Sequence, residues 1–245
     1  MLAPGRSHLD LTNAESVDDF FRKNHVDYVI HCALQGRNNL SGIDDALCMS
    51  NVRMFHNLWR NRSRFKRLIN MGTGNEFDTT TNIDRASEIT LFRRMPAASY
   101  GLAKNLIART IYETPYFYNL RLFGVFHYSE QPKRFFRRLM EEPGEFHIYQ
   151  DHEFDFVNLE DVVPMIDRVL GSDVIHSDIN ICYPKKLRLS EYARYFCDIH
   201  GLDAGRVVVD GESQHNFTGD SERFMSYQFD LKGLEAGLRA YPKPK

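Results

Sequence analysis

Apolar and polar positions follow two rhythms along this chain, and the rhythms take turns. Thr12-Asn13-Ala14-Glu15 has capping-box spacing, and Val17, Phe20 and Phe21 lay an apolar stripe on a helix that runs to about Asn24. The mostly apolar run Asp27-Tyr28-Val29-Ile30-His31-Cys32-Ala33-Leu34 then predicts a strand buried on both faces. Helical spacing returns over residues 44–62, with Ala46, Leu47, Val52, Phe55, Leu58 and Trp59 inward. Residues 65–71 read as the next strand, and Gly72-Thr73-Gly74-Asn75 as the turn at its carboxyl end. A helix over 96–113 and a buried strand over 116–123 complete a pattern that predicts a parallel sheet covered by helices.

Beyond Phe123 the texture changes. Residues 131–142 predict a basic amphipathic helix, 146–157 a pair of short strands, and 159–170 a helix with acidic residues near its start. Another helix starts at Ser190 and reaches about His200; the polar tail from Asp203 carries short elements at 206–209 and 231–238. There is no internal repeat and no low-complexity tract, so the second half reads as a smaller lobe rather than a linker-separated domain.

With 245 residues, 42% hydrophobic and 13% aromatic, the chain can bury a sizeable core, which excludes disordered and fibrous classes. A net charge of -2 gives no global field for nucleic acid or an anionic membrane surface. No window approaches the apolar length that spans a bilayer, and a cytoplasmic protein is expected. Cys32, Cys48, Cys182 and Cys197 show no C-x-x-C spacing and sit in apolar surroundings, which suits reduced, packed thiols and no metal centre.

The candidate chemistry is Tyr100-Gly-Leu-Ala-Lys104, with Thr73 27 residues upstream of the tyrosine. A tyrosine and a lysine four apart on a helix share a face, so the ammonium can sit beside the phenol and draw its pKa down toward the working pH. Such a phenol can exchange a proton with a hydroxyl or carbonyl, and a hydroxyl at Thr73 can hydrogen-bond the same oxygen. Taken alone, the pair is equally compatible with a solvated helix face.

Context makes it more specific. Asp10-Leu11-Thr12, Val29-Ile30-His31-Cys32-Ala33, Asn51-Val52, Gly72-Thr73, Tyr100-x-x-x-Lys104, Leu120-Arg121-Leu122-Phe123-Gly124-Val125-Phe126 and Asp155-Phe156-Val157-Asn158-Leu159-Glu160-Asp161-Val162 occur in this order. The chain thereby resembles the extended short-chain dehydrogenase/reductases, in the NAD-dependent epimerase/dehydratase branch that includes GDP-L-fucose synthase, from about Arg6 to Leu170. The resemblance implies an α/β fold with a Rossmann-like doubly wound parallel sheet, partial over 1–128, and a smaller α/β substrate lobe over 129–245 that returns a helix and a strand to the main sheet.

It also implies roles. Tyr100 would be the general acid/base, Lys104 would bind the nicotinamide ribose of NAD or NADP and tune Tyr100, and Thr73 would fill the serine/threonine slot. Asp10 and Leu11 would border the adenine, Ala33 and Leu34 would line the cofactor cleft, and Asn51 would stabilise the core beside it. Arg134, Arg137 and Arg138 would hold the diphosphate of a nucleotide-sugar, although a solvated basic face explains them equally well. Asn75 and His127 would lie near the sugar, while Asp155 and Asp161 read as structural caps. Relatives pair through a four-helix bundle, so a homodimer using Leu102, Leu106, Ile107 and the aromatics around Trp59 is expected, with core packing as the alternative.

Departures narrow the expectation. Asn75 occupies a slot held by a catalytic cysteine in GDP-L-fucose synthase, Ser129 stands where a histidine is expected, and Phe154 replaces an arginine. These favour 4-keto reduction or 4-epimerisation over double epimerisation. No G-x-x-G-x-x-G or G-x-G-x-x-G run occurs, so the amino-terminal dinucleotide anchor of the fold is expected to be missing, tight dinucleotide binding by these residues is not expected, and the strand at Tyr28 is expected to present an open apolar edge. Two function classes follow: an NAD(P)-dependent sugar-nucleotide reductase or epimerase making a deoxy-sugar or heptose, or a cofactor-free binding or regulatory subunit on the same fold.

Overall fold

The computed structural model describes residues 1–35, 44–172 and 176–242. In chain order its first elements are α1 (Ala14–Lys23), β1 (Tyr28–His31), α2 (Asp45–Arg60), β2 (Arg67–Thr73), β3 (Ile83–Ala86), α3 (Ser99–Tyr112), β4 (Phe117–Leu122) and β5 (Gly124–Phe126). There follow α4 (Phe135–Glu141), β6 (Phe146–Ile148), β7 (Glu153–Phe154), β8 (Phe156–Asn158), α5 (Leu159–Gly171), β9 (Asp178–Ile181) and β10 (Leu187–Arg188). The last are α6 (Leu189–His200), β11 (Val207–Val209), β12 (Phe217–Gly219), α7 (Glu222–Met225) and α8 (Gly233–Arg239). The chain forms two compact units, one of Met1–Thr80, Ile89–Arg121 and Arg168–Ile179, the other of Thr81–Glu88, Leu122–Asp167 and Asn180–Lys245.

The first unit is built on a sheet of order β1-β2-β4-β9, with β1 and β2 parallel in register from Tyr28 opposite Arg67 to His31 opposite Asn70. Asn13, one residue later than the capping box predicted, caps α1 by accepting from the amides of Glu15 and Ser16. Val17 and Phe21 of that helix pack with Phe55 and Leu58 of α2, Ile107 and Ile111 of α3, and Phe65, Leu68 and Phe117 at the sheet. Each large side chain so buried contributes about 1.5–3 kcal/mol, which fixes the three helices on the sheet.

Two expectations need correction here, and one open alternative is decided for Ile107. The strand at Tyr28 is not buried on both faces: β1 ends the sheet, and Tyr28 and Ile30 stay 40% and 41% exposed because a terminal strand is covered from one side only. Ala46 is exposed in the first turn of α2, and Trp59 is half-buried, its indole N–H donating to the Thr114 hydroxyl at 3.2 Å. Ile107 belongs to the core and is not available to a dimer face.

In the second unit an aromatic cluster organises the elements: Phe126, Phe136, Phe146, Phe156, Tyr192, Phe196 and Tyr241 are all buried in one core. The stretch 146–157 does not form strands paired with each other. Instead β6 pairs with β11, β7 with β10 and β12, and β8 with β5, because Phe146, Ile148 and Phe156 turn inward onto that core. Asp155 accepts from both Lys186 Nζ, at 2.9 Å, and the Gly219 amide, and Asp161 accepts from the amides of Lys232 and Gly233 at the start of α8. Both aspartates thus join segments within their unit.

All four cysteines are free; Cys48, Cys182 and Cys197 are buried, but Cys32, just past the end of β1, is exposed rather than packed. Among the described residues no helix is long and apolar enough to cross a membrane, and no cluster of ligating side chains could hold a metal ion.

Candidate active site

The site of the first unit is assembled at the carboxyl end of β2. Thr73 closes that strand and opens a short helical turn over Gly74–Glu76, with the capping box its Thr-x-x-Glu spacing specifies. The Thr73 hydroxyl accepts from the Asn75 amide at 3.3 Å and from Asn75 Nδ2 at 3.2 Å, while the Thr73 amide donates to Glu76 Oε1 at 2.9 Å. A hydroxyl that accepts twice and donates to no described residue still has its own proton to offer.

Helix α3 is locked onto this turn. Lys104 Nζ donates to the Met71 carbonyl at 3.0 Å, and Asn105 Nδ2 donates to the Glu76 carbonyl at 2.8 Å. Between Tyr100 and Lys104, Gly101 lies so close to the turn that a Cβ there would sit 2.5 Å from the Asn75 carbonyl oxygen. Thr73, Asn75 and Lys104 are therefore brought together on fixed backbone, and half-buried Tyr100 occupies the same first turns of α3. The Lys104 ammonium is only 6% exposed; burial pulls its pKa below the ordinary lysine value, opposed by Glu76 and then Cys32. One of its three N–H donors is used by Met71, which leaves donors for ribose hydroxyls, so the residues present fit the nicotinamide ribose.

Beneath the turn lies a set of buried charges. Arg121 of β4 bridges Glu76 and Asp178, with Nε 2.8 Å from Glu76 Oε2 and Nη2 2.8 Å from Asp178 Oδ2. Asn119 Nδ2 donates to both carboxylates at 2.9 Å, and Asn70 Nδ2 donates to Asn119 Oδ1 at 2.7 Å. Burial pushes the Glu76 carboxyl above its ordinary range, against the pull of Arg121, yet each of its side-chain contacts is a donor, which only a carboxylate satisfies. Gly72 is required here by close approach: a Cβ would fall 2.6 Å from both Glu76 Oε1 and Asn119 Oδ1. The sequence signals for this network are the Thr-x-x-Glu spacing, an arginine inside an apolar strand and an aspartate opening Asp178-Ile179-Asn180-Ile181, none of which shows by itself that the three charges meet.

The expected cofactor-side residues are more scattered. Asp10 Oδ1 accepts from the Thr12 amide and hydroxyl, contacts that hold its carboxyl below the ordinary range, and the Leu11 carbonyl accepts from Asn57 Nδ2 at 2.8 Å. Ala33 is exposed and Leu34 half-buried in the stretch after β1. Asn51 is buried and clamps Gln35 by both backbone groups, at 3.0 Å each, which ties that stretch to α2. His31 is buried at the end of β1, where burial first and Lys104 second lower its pKa to about 3, so its imidazole is neutral.

The remaining candidates belong to the second unit. His127 Nδ1 accepts from the Ser129 amide, with the Ser129 hydroxyl 2.6 Å away, and its ring lies against Tyr128. Arg134 precedes α4 and donates to the Val125 carbonyl at 2.8 Å. Arg137 pairs with Glu141 at 2.7 Å, and Arg138 grips Glu142 with two bonds of 2.8 and 2.9 Å. All three guanidiniums thus have partners within their own unit.

Solved structures with this architecture are numerous. A GDP-mannoheptose C4 reductase from Campylobacter jejuni with NADP bound is 19% identical with a TM-score of 0.77, over 97% of this chain and 87% of that one. A GDP-L-fucose synthetase from Naegleria fowleri bound to NADP is 17% identical with a TM-score of 0.77, over 97% and 82%. A UDP-glucose 4-epimerase from Thermotoga maritima with UDP-glucose is 19% identical with a TM-score of 0.74, over 94% and 80%. At such identities the likeness establishes the Rossmann-like α/β fold. No curated protein sequence matches this chain. The model of the NAD dependent epimerase/dehydratase family matches residues 5–182, and with the parallel sheet and the strand-end site it encloses, the chain belongs to that family.

Proposed function

We propose that this protein is an NAD(P)-dependent sugar-nucleotide reductase or epimerase acting on the 4-keto or 4-hydroxy position of a nucleoside-diphosphate hexose or heptose. The observation that carries this reading is the Thr73 hydroxyl, which accepts from Asn75 and keeps its proton, at the turn onto which Lys104 and Gly101 lock the tyrosine helix. A bound nicotinamide supplies or receives the hydride at the sugar carbon. Thr73 donates to the sugar oxygen, and Tyr100 passes a proton to it during reduction and takes one during oxidation. Lys104 holds the ribose with its remaining N–H donors, and its positive charge favours the tyrosinate form of Tyr100.

The other assignments belong to the same reading. Asp10, Leu11, Ala33 and Leu34 serve the dinucleotide, and Asn51 holds the stretch after β1 in place through Gln35. Asn75 and His127 face the sugar, and Arg134, Arg137 and Arg138 meet the diphosphate by exchanging Glu141 and Glu142 for phosphate oxygens. The family match and the nucleotide-sugar enzymes among the solved structures support this class of substrate.

The test is turnover of purified protein with GDP-, UDP- and dTDP-linked 4-keto sugars and each reduced nicotinamide, followed by loss of nicotinamide absorbance, together with product analysis for 4-epimers. Activity that Tyr100→Phe abolishes is expected. Activity unchanged in Tyr100→Phe, or none with any substrate, sinks the proposal and favours a binding subunit.

A further inference from the structure

The charges buried around the turn after β2 balance, and the balance is informative. Glu76 and Asp178 carry two negative charges, and Arg121 between them carries one positive charge; their side chains are at most 1% exposed. The triad alone is therefore net negative by one charge in a place without water to screen it. The compensating charge stands across the Met71–Thr73 backbone: Lys104 bonds to the Met71 carbonyl, and Glu76 receives the Thr73 amide.

Among the described residues, the charged and titratable groups facing Lys104 come from four elements and the turn. His31 and Cys32 come from the end of β1, Glu76 from the turn, with Arg121 of β4 and Asp178 of β9 behind it, and Tyr100 shares the helix. His31 is neutral, and although the Cys32 side chain is exposed, its surroundings desolvate it enough to raise the thiol pKa, against the pull of Lys104. Among the described residues Glu76 is the main source of negative charge at the ammonium, ahead of Cys32. A buried lysine without such a partner loses its proton readily, and a neutral amine would no longer favour the tyrosinate.

We propose that the Glu76–Arg121–Asp178 triad is the counter-charge of Lys104, and that Glu76 is a positioning residue that keeps the ammonium protonated while holding the Thr73 amide. The triad's part in catalysis rests on the reading of Tyr100 and Lys104 given above; its effect on the charge of Lys104 does not. Arginine divides the work: it shields Glu76 from Asp178 without cancelling their joint charge, and Asn119 bridges the two carboxylates from the other side.

The test is the titration midpoint of Lys104, read from the side-chain NMR signal of lysine-labelled protein and assigned with Lys104→Arg. Glu76→Gln is expected to lower the midpoint by about one unit or more, as loss of a close opposite charge does. Asp178→Asn, which removes the same net charge without touching the Thr73 amide, is expected to lower it by less. Glu76→Asp, which keeps the charge, should return the midpoint toward the wild-type value even where turnover stays impaired. In active protein the alkaline limb of the kcat/KM profile should move to lower pH with the midpoint, whereas a purely structural defect lowers the rate at every pH and moves no limb.

An unchanged midpoint in Glu76→Gln, equal drops in the Gln and Asp variants, or an unchanged midpoint in Asp178→Asn overturns the proposal. If Glu76→Gln does not fold, Asp178→Asn decides alone. Because the NMR readout needs no substrate, it separates failure of this inference from failure of the proposed activity, which Tyr100→Phe reports.

Discussion

Lys104 Nζ donates to the Met71 carbonyl at 3.0 Å, so the amine on α3 is pinned to the strand that ends two residues later in Thr73. This bond ties the helix of the Tyr/Lys pair to the threonine turn, and three chemically different groups are held by two rigid elements. From it follows the first prediction. Tyr100→Phe, which removes only the phenolic oxygen, should reduce turnover by about 10²–10⁴-fold, the usual worth of a general acid/base, while the unfolding midpoint stays near wild type. Steady-state rates beside a urea melt check both parts.

The close approach at Gly101 gives a stability prediction. Gly101→Ala places a methyl 2.5 Å from the Asn75 carbonyl oxygen and 2.9 Å from Pro96 Cβ, and neither the backbone nor the proline ring can yield easily. A cost of about 1–3 kcal/mol is expected in urea unfolding, with a loss of activity larger than the stability loss accounts for, because the displaced atoms carry Asn75 and Thr73.

Arg121 should be among the least replaceable side chains of the first unit. Arg121→Met leaves Glu76 and Asp178 buried without their cation, and removing one member of such a set costs about 3–5 kcal/mol. Since the Glu76 carboxyl is already raised by burial, it takes up a proton more easily once the guanidinium is gone, and the deficit should narrow as pH falls. Urea midpoints of variant and wild type across the acid range test this; a deficit that widens toward acid would contradict it.

His31 supplies a pH dependence with a definite sign. Its folded pKa is depressed to about 3 from the ordinary histidine value of 6.5, so between those values the unfolded chain binds a proton that the folded chain does not. The stabilisation is complete above the unfolded pKa and is lost as pH falls toward the folded one. Between about pH 7 and pH 5 the loss should be roughly 2 kcal/mol, at 1.4 kcal/mol per unit below 6.5, and His31→Leu should remove most of it. Thermal melts at the two pH values of both proteins decide the matter.

The clamp at Asn51 predicts a local effect. Asn51→Ala frees both backbone groups of Gln35, and hydrogen exchange at the Gln35 amide should accelerate at least tenfold, about 1.4 kcal/mol of lost protection, before global stability changes.

The fold class and the existence of most elements were legible because periodic apolar spacing is a local property. The helix read over 96–113 is present as Ser99–Tyr112, and the strand read over 116–123 as Phe117–Leu122. Pairing was not legible. The short strands between Phe146 and Asn158 take partners far along the chain, a choice made by which faces reach the aromatic core, and no local pattern encodes it. The openness of β1 at Tyr28 and Ile30 likewise depends on what lies beside it in the sheet, while its apolar composition reads the same in a central strand.

By itself the sequence determined which groups could do chemistry here: a phenol and an amine four residues apart on a helix, and a threonine at a strand end. Only the tertiary structure decided what surrounds them. Glu76, Arg121 and Asp178 come from a turn and two strands separated by long stretches of chain, and each alone reads as an ordinary charged residue. Folding removes the water between them, and in that medium a single unbalanced charge is strong enough to govern the amine across one backbone strand.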